Sequence, residues 1–174
     1  MKRHFLKATM ILISLFFLVS FTNDNRRLIV RKWHFSELQS PALTRIMNEN
    51  NAKISSLVDS IKASGSDTAH SLSFRDQKEM LESQMNMMTS MLAKMKSEGW
   101  IEFTKRGKYK QNMSGTEDEG TYALDADGKK LMTTDSKGKT DTLNIDELSN
   151  DAMTLSTPKD STKIMFTAEA GEKK

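Results

Sequence analysis

Gly120-Thr121-Tyr122-Ala123-Leu124-Asp125-Ala126-Asp127-Gly128-Lys129-Lys130-Leu131-Met132-Thr133-Thr134 is the stretch on which the fold turns. Two short runs rich in β-branched, aromatic and aliphatic residues flank Ala126-Asp127-Gly128. Asp-Gly supplies turn chemistry: glycine tolerates positive φ, and the aspartate side chain bonds the backbone just beyond it. The spacing predicts a hairpin with strands over Thr121–Asp125 and Lys130–Thr134. The same grammar extends in both directions. Upstream lie Trp100–Thr104, the turn Lys105-Arg106-Gly107, a strand from Lys108 to Ser114 and an acidic turn from Gly115 to Gly120. Downstream, Asp135-Ser136-Lys137-Gly138 leads to Thr140–Leu148, Ser149-Asn150-Asp151 to Ala152–Ser156, and Thr157-Pro158-Lys159-Asp160 to Thr162–Ala168. Turn signals recur about every 8–12 residues, as in an antiparallel meander. The tail Glu169–Lys174 is expected to fray.

Ahead of these seven strands the periodicity changes. Ile46, Met47, Ile54, Leu57, Val58 and Ile61 fit helical steps of three and four, so Leu43 to about Lys62 is read as a helix. Ala63–Ser73 reads as a polar linker, and a second helix is expected from about Asp76 to Lys96, with Asp76 and Glu79 as a capping pair and Gly99 as the stop. Leu81, Met85, Met88, Leu92 and Met95 form its stripe, widened by Met80 and Met91. Before the helices, Arg27–Leu38 alternates with Ile29, Trp33 and Phe35 on one parity, and Ser40-Pro41 ends it. The expected fold is therefore mostly β: a small antiparallel up-and-down barrel of about eight strands, with a two-helix insertion over about 43–97 after the first strand. An open meander gives the same signals.

The chain begins with a basic head, Met1-Lys2-Arg3-His4-Phe5-Leu6-Lys7, followed by the apolar run Ala8–Phe21. That order is a secretory signal peptide, placed at 1–23, with the domain over 24–174. As a helix the run rises about 21 Å, short of the roughly 30 Å bilayer core. Ser20 and Thr22 are small enough to precede a cut, and an uncleaved anchor is the alternative. Extracytoplasmic location is expected, periplasmic or secreted, with membrane contact only through this segment. Subtracting Lys2, Arg3 and Lys7 from the 26 basic residues leaves 23, equal to the 23 acidic ones. A domain without surplus positive charge gives counterion release little to act on, which argues against a nucleic-acid partner. With no cysteine in the chain, disulfides, thiol nucleophiles, lipid attachment and cysteine metal sites drop out.

Ile29-Val30-Arg31-Lys32-Trp33-His34-Phe35, the Met-rich helix, Ile101–Tyr109, Gly120–Leu131 and Ile145-Asp146-Glu147-Leu148-Ser149 together resemble the lipocalin-like domain proteins of the bacterial envelope. In that family the first strand reads Gly-x-Trp, and a Gly-Thr-aromatic-x-Leu run followed by Asp-Gly-Lys-x-Leu forms a hairpin. Arg31 stands where the family has glycine and Tyr122 where it often has tryptophan, so a looser barrel beneath Trp33 is expected. The resemblance implies a barrel, an envelope location and at most an apolar cavity. It offers no catalytic residues to carry over.

Trp33, Phe35, Phe103, Tyr122, Leu124, Leu143, Ile145, Leu155 and Phe166 share the apolar parity of their strands and are read as barrel interior, the candidate ligand contacts. Met80, Met85, Met87, Met88, Met91 and Met95 admit a Cu(I) reading through soft thioethers, but packing of an irregular gap is the favoured account. His34 and His70 lie apart and are read as surface residues, without zinc spacing. Glu117-Asp118-Glu119 lacks the oxygen pattern of a calcium loop and is read as a solvated hairpin tip. Asp125-Ala126-Asp127-Gly128 is a turn. No Gly-x-Ser-x-Gly elbow occurs. The expected function is non-catalytic binding of a small apolar or amphipathic molecule, without a cofactor. The alternative is an envelope interaction module with a filled barrel and a Met-rich docking helix.

Overall fold

The computed structural model describes residues 24–64, 69–113 and 115–169. The export segment 1–23 lies outside the described residues. Residues 24–28 form a helical turn, α1. Then follow β1 (Lys32–Gln39), the helices α2 (Pro41–Ser64) and α3 (Ala69–Glu98), and seven strands: β2 (Trp100–Phe103), β3 (Lys108–Asn112), β4 (Glu117–Leu124), β5 (Lys130–Asp135), β6 (Thr140–Leu148), β7 (Ala152–Ser156) and β8 (Lys163–Ala168). Each strand pairs antiparallel with its neighbour in sequence, and β8 pairs with β1, so the sheet closes into an eight-stranded up-and-down barrel. The open-meander alternative is thereby excluded.

Closure settles which parity faces inward. On β4 exposure alternates residue by residue, with Asp118, Gly120, Tyr122 and Leu124 on the sheltered side. The acidic run is thus not a hairpin tip. Glu117, Asp118 and Glu119 are the first residues of β4, paired with Asn112, Gln111 and Lys110. Local charge misled there because a strand with one solvated face tolerates acids at every second position.

One end of the barrel is sealed by the segment before β1. Arg27–Val30, expected as strand, instead forms the end of α1 and a tight bend, with strand geometry only from Lys32. Ile29 and Trp33 share parity by coincidence of a turn, and both have no exposed surface. The Trp33 indole N–H donates to the Ile29 carbonyl at 3.0 Å. The Arg31 guanidinium lies 5.3 Å from the Trp33 ring centroid and donates to the Asn150 carbonyl at 2.6 Å in the β6–β7 turn. Asn25 donates to the Gly128 carbonyl in the β4–β5 turn, and the Phe103 N–H to the Arg31 carbonyl. Arginine where a glycine was expected does not loosen the barrel beneath Trp33; its side chain lies over the indole.

The helices form an antiparallel arm: α2 packs on α3, and α3 meets β1. Ser40 Oγ accepts the Leu43 N–H at 3.4 Å, and Pro41 occupies the first helical position, where its missing N–H is harmless. The expected linker Ala63–Ser73 is helical wherever it is described, which puts His70 on α3 and Asp76 and Glu79 well inside that helix. Small polar residues have only weak preferences against helix, and packing of the two helices overrides them. Gly99 ends α3 as expected: a Cβ there would come 3.0 Å from the Phe35 Cβ and collide with the Met95 carbonyl oxygen. The methionine stripe is narrower than its spacing implied. Met85, Met88 and Met95 are half-buried, whereas Met80, Met87 and Met91 are exposed. No described helix is long and apolar enough to cross a membrane.

Trp33→Ala removes the largest side chain from the sealed end and should destabilise the fold by about 3–5 kcal/mol in a denaturant titration. A variant as stable as the wild type would contradict the plug.

Candidate functional site

Strand direction divides the barrel interior into two unlike halves. At the sealed end Ile29, Trp33, Phe103, Leu131 and Met153 are fully or almost fully buried. Tyr122 closes over Phe103, with ring centroids 4.8 Å apart in an edge-on arrangement, and donates its hydroxyl to the Thr104 carbonyl at 2.9 Å. Toward the other end, between the β3–β4, β5–β6 and β7–β8 connections, a cavity of about 880 Å³ opens. Leu131, Leu143 and Tyr109 lie low in it; Ile101, Leu155, Ile164 and Phe166 line one side; Asp118, Thr133, Asp135 and Asp141 line the other. Pro158, Lys159 and Asp160 of the β7–β8 loop contribute to its rim.

Period-2 geometry places the polar side. Asp118 sits on the parity of Tyr122, Asp135 on that of Leu131, and Asp141 on that of Leu143. Each is therefore the open-end member of an inward row. Asp135 Oδ1 also accepts the Lys137 and Lys139 N–H groups at 2.9 and 2.8 Å, which shapes the β5–β6 turn. Asp141, at the lip, pairs with Lys139 at 3.0 Å. That partner raises the Lys139 pKa, chiefly by the hydrogen bond and then by charge. Asp160 accepts hydrogen bonds from the Thr157 hydroxyl and the Thr162 N–H, and these hold its pKa below the usual carboxylate value.

Tyr109 stands where the solid and hollow halves meet. Its ring packs against Phe103 and lies over Gly120, where a Cβ would come within 2.8 Å of its Cε1. Glycine at 120 is the space Tyr109 occupies. Burial raises the Tyr109 pKa, and the charges of Asp118, Asp135 and Asp141 raise it further; Tyr122 is raised by burial alone.

Of the nine residues expected inside, Trp33, Phe35, Phe103, Leu155 and Phe166 belong to the buried core, and Tyr122, Leu124, Leu143 and Ile145 pack half-buried against it. Leu143, Leu155 and Phe166 line the cavity; the other six do not. The cavity residues not anticipated are Ile101, Tyr109, Leu131 and Ile164 and the polar group Asp118, Thr133, Asp135 and Asp141. Strand parity pointed to all of them once the acidic run was placed on a strand. His34 is partly exposed on β1, 3.4 Å from Glu169. A second hollow of about 680 Å³ opens along β3–β5, lined by Lys105, Lys108, Lys110 and Glu119 and also by Tyr109, Gly120 and Asp135, so Tyr109 and Asp135 border both hollows.

No family model matches the chain, and no curated protein matches it. Among solved structures it is similar to a lipocalin-like protein from Bacteroides uniformis, at 17% identity and a TM-score of 0.33, over 41% of this chain and 78% of that one. It is also similar to a DUF4847 family protein from Bacteroides vulgatus, at 13% identity and a TM-score of 0.45, over 83% and 96% of the two chains. An uncharacterized protein from Bacteroides eggerthii is similar at 15% identity and a TM-score of 0.41, over 81% and 99%.

The chain has two tyrosines, so an ultraviolet titration of phenolate reads both without ambiguity. Both midpoints should lie above the ordinary value of 10.0 in the folded protein and return to it in denaturant. Because the folded chain holds these protons more tightly, stability is complete below that value and falls as pH rises through the raised ones. Asp118→Asn should lower the Tyr109 midpoint and leave that of Tyr122 unchanged. Ordinary midpoints in the native protein would contradict the burial of both rings.

Proposed function

We propose that this is an exported, non-catalytic binding protein that holds a small apolar or amphipathic molecule in the open end of its barrel. The cavity carries the proposal. At about 880 Å³ it falls within the roughly 300–1,000 Å³ of small-molecule sites, which are lined mainly by apolar groups with a few placed polar ones. The basic head and apolar run of residues 1–23 support export to the periplasm or beyond, by cleavage or as an anchored form. The resemblance of Arg31–Phe35 and Gly120–Leu131 to lipocalin-like envelope domains supports a binding role. The even charge of the domain argues against nucleic acid.

A second reading, an interaction module whose helical arm docks an envelope protein, is favoured by one observation. Leu72, Met80, Met87 and Met91 on α3 are each more than half exposed, and single apolar residues are ordinary on a surface whereas a row along one helix is less so.

Titration with the neutral fluorophore N-phenyl-1-naphthylamine separates the two. The cavity reading predicts saturable binding, one probe per chain, that Thr133→Trp abolishes by filling the hollow while the fold stays stable. Binding that survives Thr133→Trp and is lost in Met87→Lys would favour the arm. No saturable binding at all would sink the cavity reading. Cell fractionation should recover the chain outside the cytoplasm, and full-length chain in the cytosol would contradict export.

A further inference from the structure

We infer that the open-end cavity takes a cationic amphiphile: an ammonium or guanidinium head held by Tyr109, Asp118 and Asp135, on an apolar body lying against Ile101, Ile164 and Phe166. This deepens the binding reading above and rests on it.

The cavity is chemically two-sided. Three consecutive strands, β4, β5 and β6, each put an aspartate at the open-end position of the inward row. The facing wall, from β2, β7 and β8, is apolar. Asp141 has Lys139 beside it at the lip, and Lys159 is the lysine of the rim. Asp118 and Asp135, which are half-buried, make no ion pair among the described residues.

Tyr109 is the independent observation. The residue is only 4% exposed and lines the cavity, yet its hydroxyl makes no hydrogen bond among the described residues, whereas the Tyr122 hydroxyl has the Thr104 carbonyl. The ring is buried while the hydroxyl oxygen keeps accessible surface, so it is open to a partner that enters from solvent. A phenol at the base of an acidic wall can donate to a carboxylate and accept from an incoming N–H, which is what an ammonium or guanidinium offers.

Desolvation decides the sign of the ligand's charge. An apolar body entering the cavity drives water away from Asp118 and Asp135, and a carboxylate stripped of water without a counter-charge is costly. A neutral amphiphile leaves that cost unmet. An anion adds repulsion from the same groups that already disfavour ionisation of Tyr109. A cation on an apolar stem meets both walls at once, and the acidic side then acts as the repulsive element against the other two classes.

Calorimetric titrations with octylammonium, octan-1-ol and octanoate, each below its aggregation limit, test this. Octylammonium should bind about tenfold or more tighter than octan-1-ol, the increment of one charge-assisted hydrogen bond, and octanoate should bind weakest. In an Asp118→Asn, Asp135→Asn double variant the preference for octylammonium should disappear while octan-1-ol binding persists. Asparagine retains the Oδ1 acceptor that the Glu119, Lys137 and Lys139 N–H groups use. Tyr109→Phe keeps the ring and should weaken octylammonium alone, which decides the matter should the double variant not fold. Equal binding of the three chains, or preference for octanoate, overturns the cationic assignment and leaves the binding reading standing. Failure of all three to bind overturns both.

Discussion

The Trp33 indole is held from several directions: its N–H by the Ile29 carbonyl, its face by the Arg31 guanidinium, and its edges by the inward rows of the neighbouring strands. An eight-stranded barrel is just wide enough for side chains to fill. Concentrating the largest side chain, two further aromatic rings and the turn over residues 29–31 at one end therefore decides where the interior is solid. What remains at the other end is hollow. Position of the plug, more than barrel size, places the cavity.

That arrangement has an energetic cost at the open end, where apolar wall residues face a cavity and not one another, and packing contacts are forgone. Gly120 is part of the same trade: a Cβ there would come within 2.8 Å of the Tyr109 Cε1, so glycine leaves the ring its place beside Phe103. The helical arm contributes little to this core. None of the α2 residues is buried, and α3 touches the barrel chiefly along β1.

The barrel was legible because its signal is local and repeated. Turn residues such as Asp127-Gly128 fix hairpins, and a two-residue period marks the inward row wherever a strand is long enough to show it. Three things escaped for identifiable reasons. Ile29 lies in a bend whose residues happen to continue the parity of Trp33, so alternation alone extends the strand too far. Ala63–Ser73 carries weak helix formers, yet its described part is helical because α2 and α3 support each other. Glu117-Asp118-Glu119 looks like a solvated tip when only charge is considered, although Asp118 shares the parity of Tyr122 and Leu124. That last misreading hid half of the site, since the acidic wall consists of inward polar residues. Which of the nine interior residues border empty space depends on where the plug sits, and that is a tertiary fact with no sequence period.

The most direct test of the account is residue-resolved. Amide chemical shifts recorded during titration with N-phenyl-1-naphthylamine should move at Tyr109, Thr133, Leu143, Thr157 and Ile164, around the open end. Those of Trp33, Phe103 and Met153, in the plug, should move little. Shifts centred on Met80, Met87 and Met91 of the helical arm, with the open end silent, would contradict it.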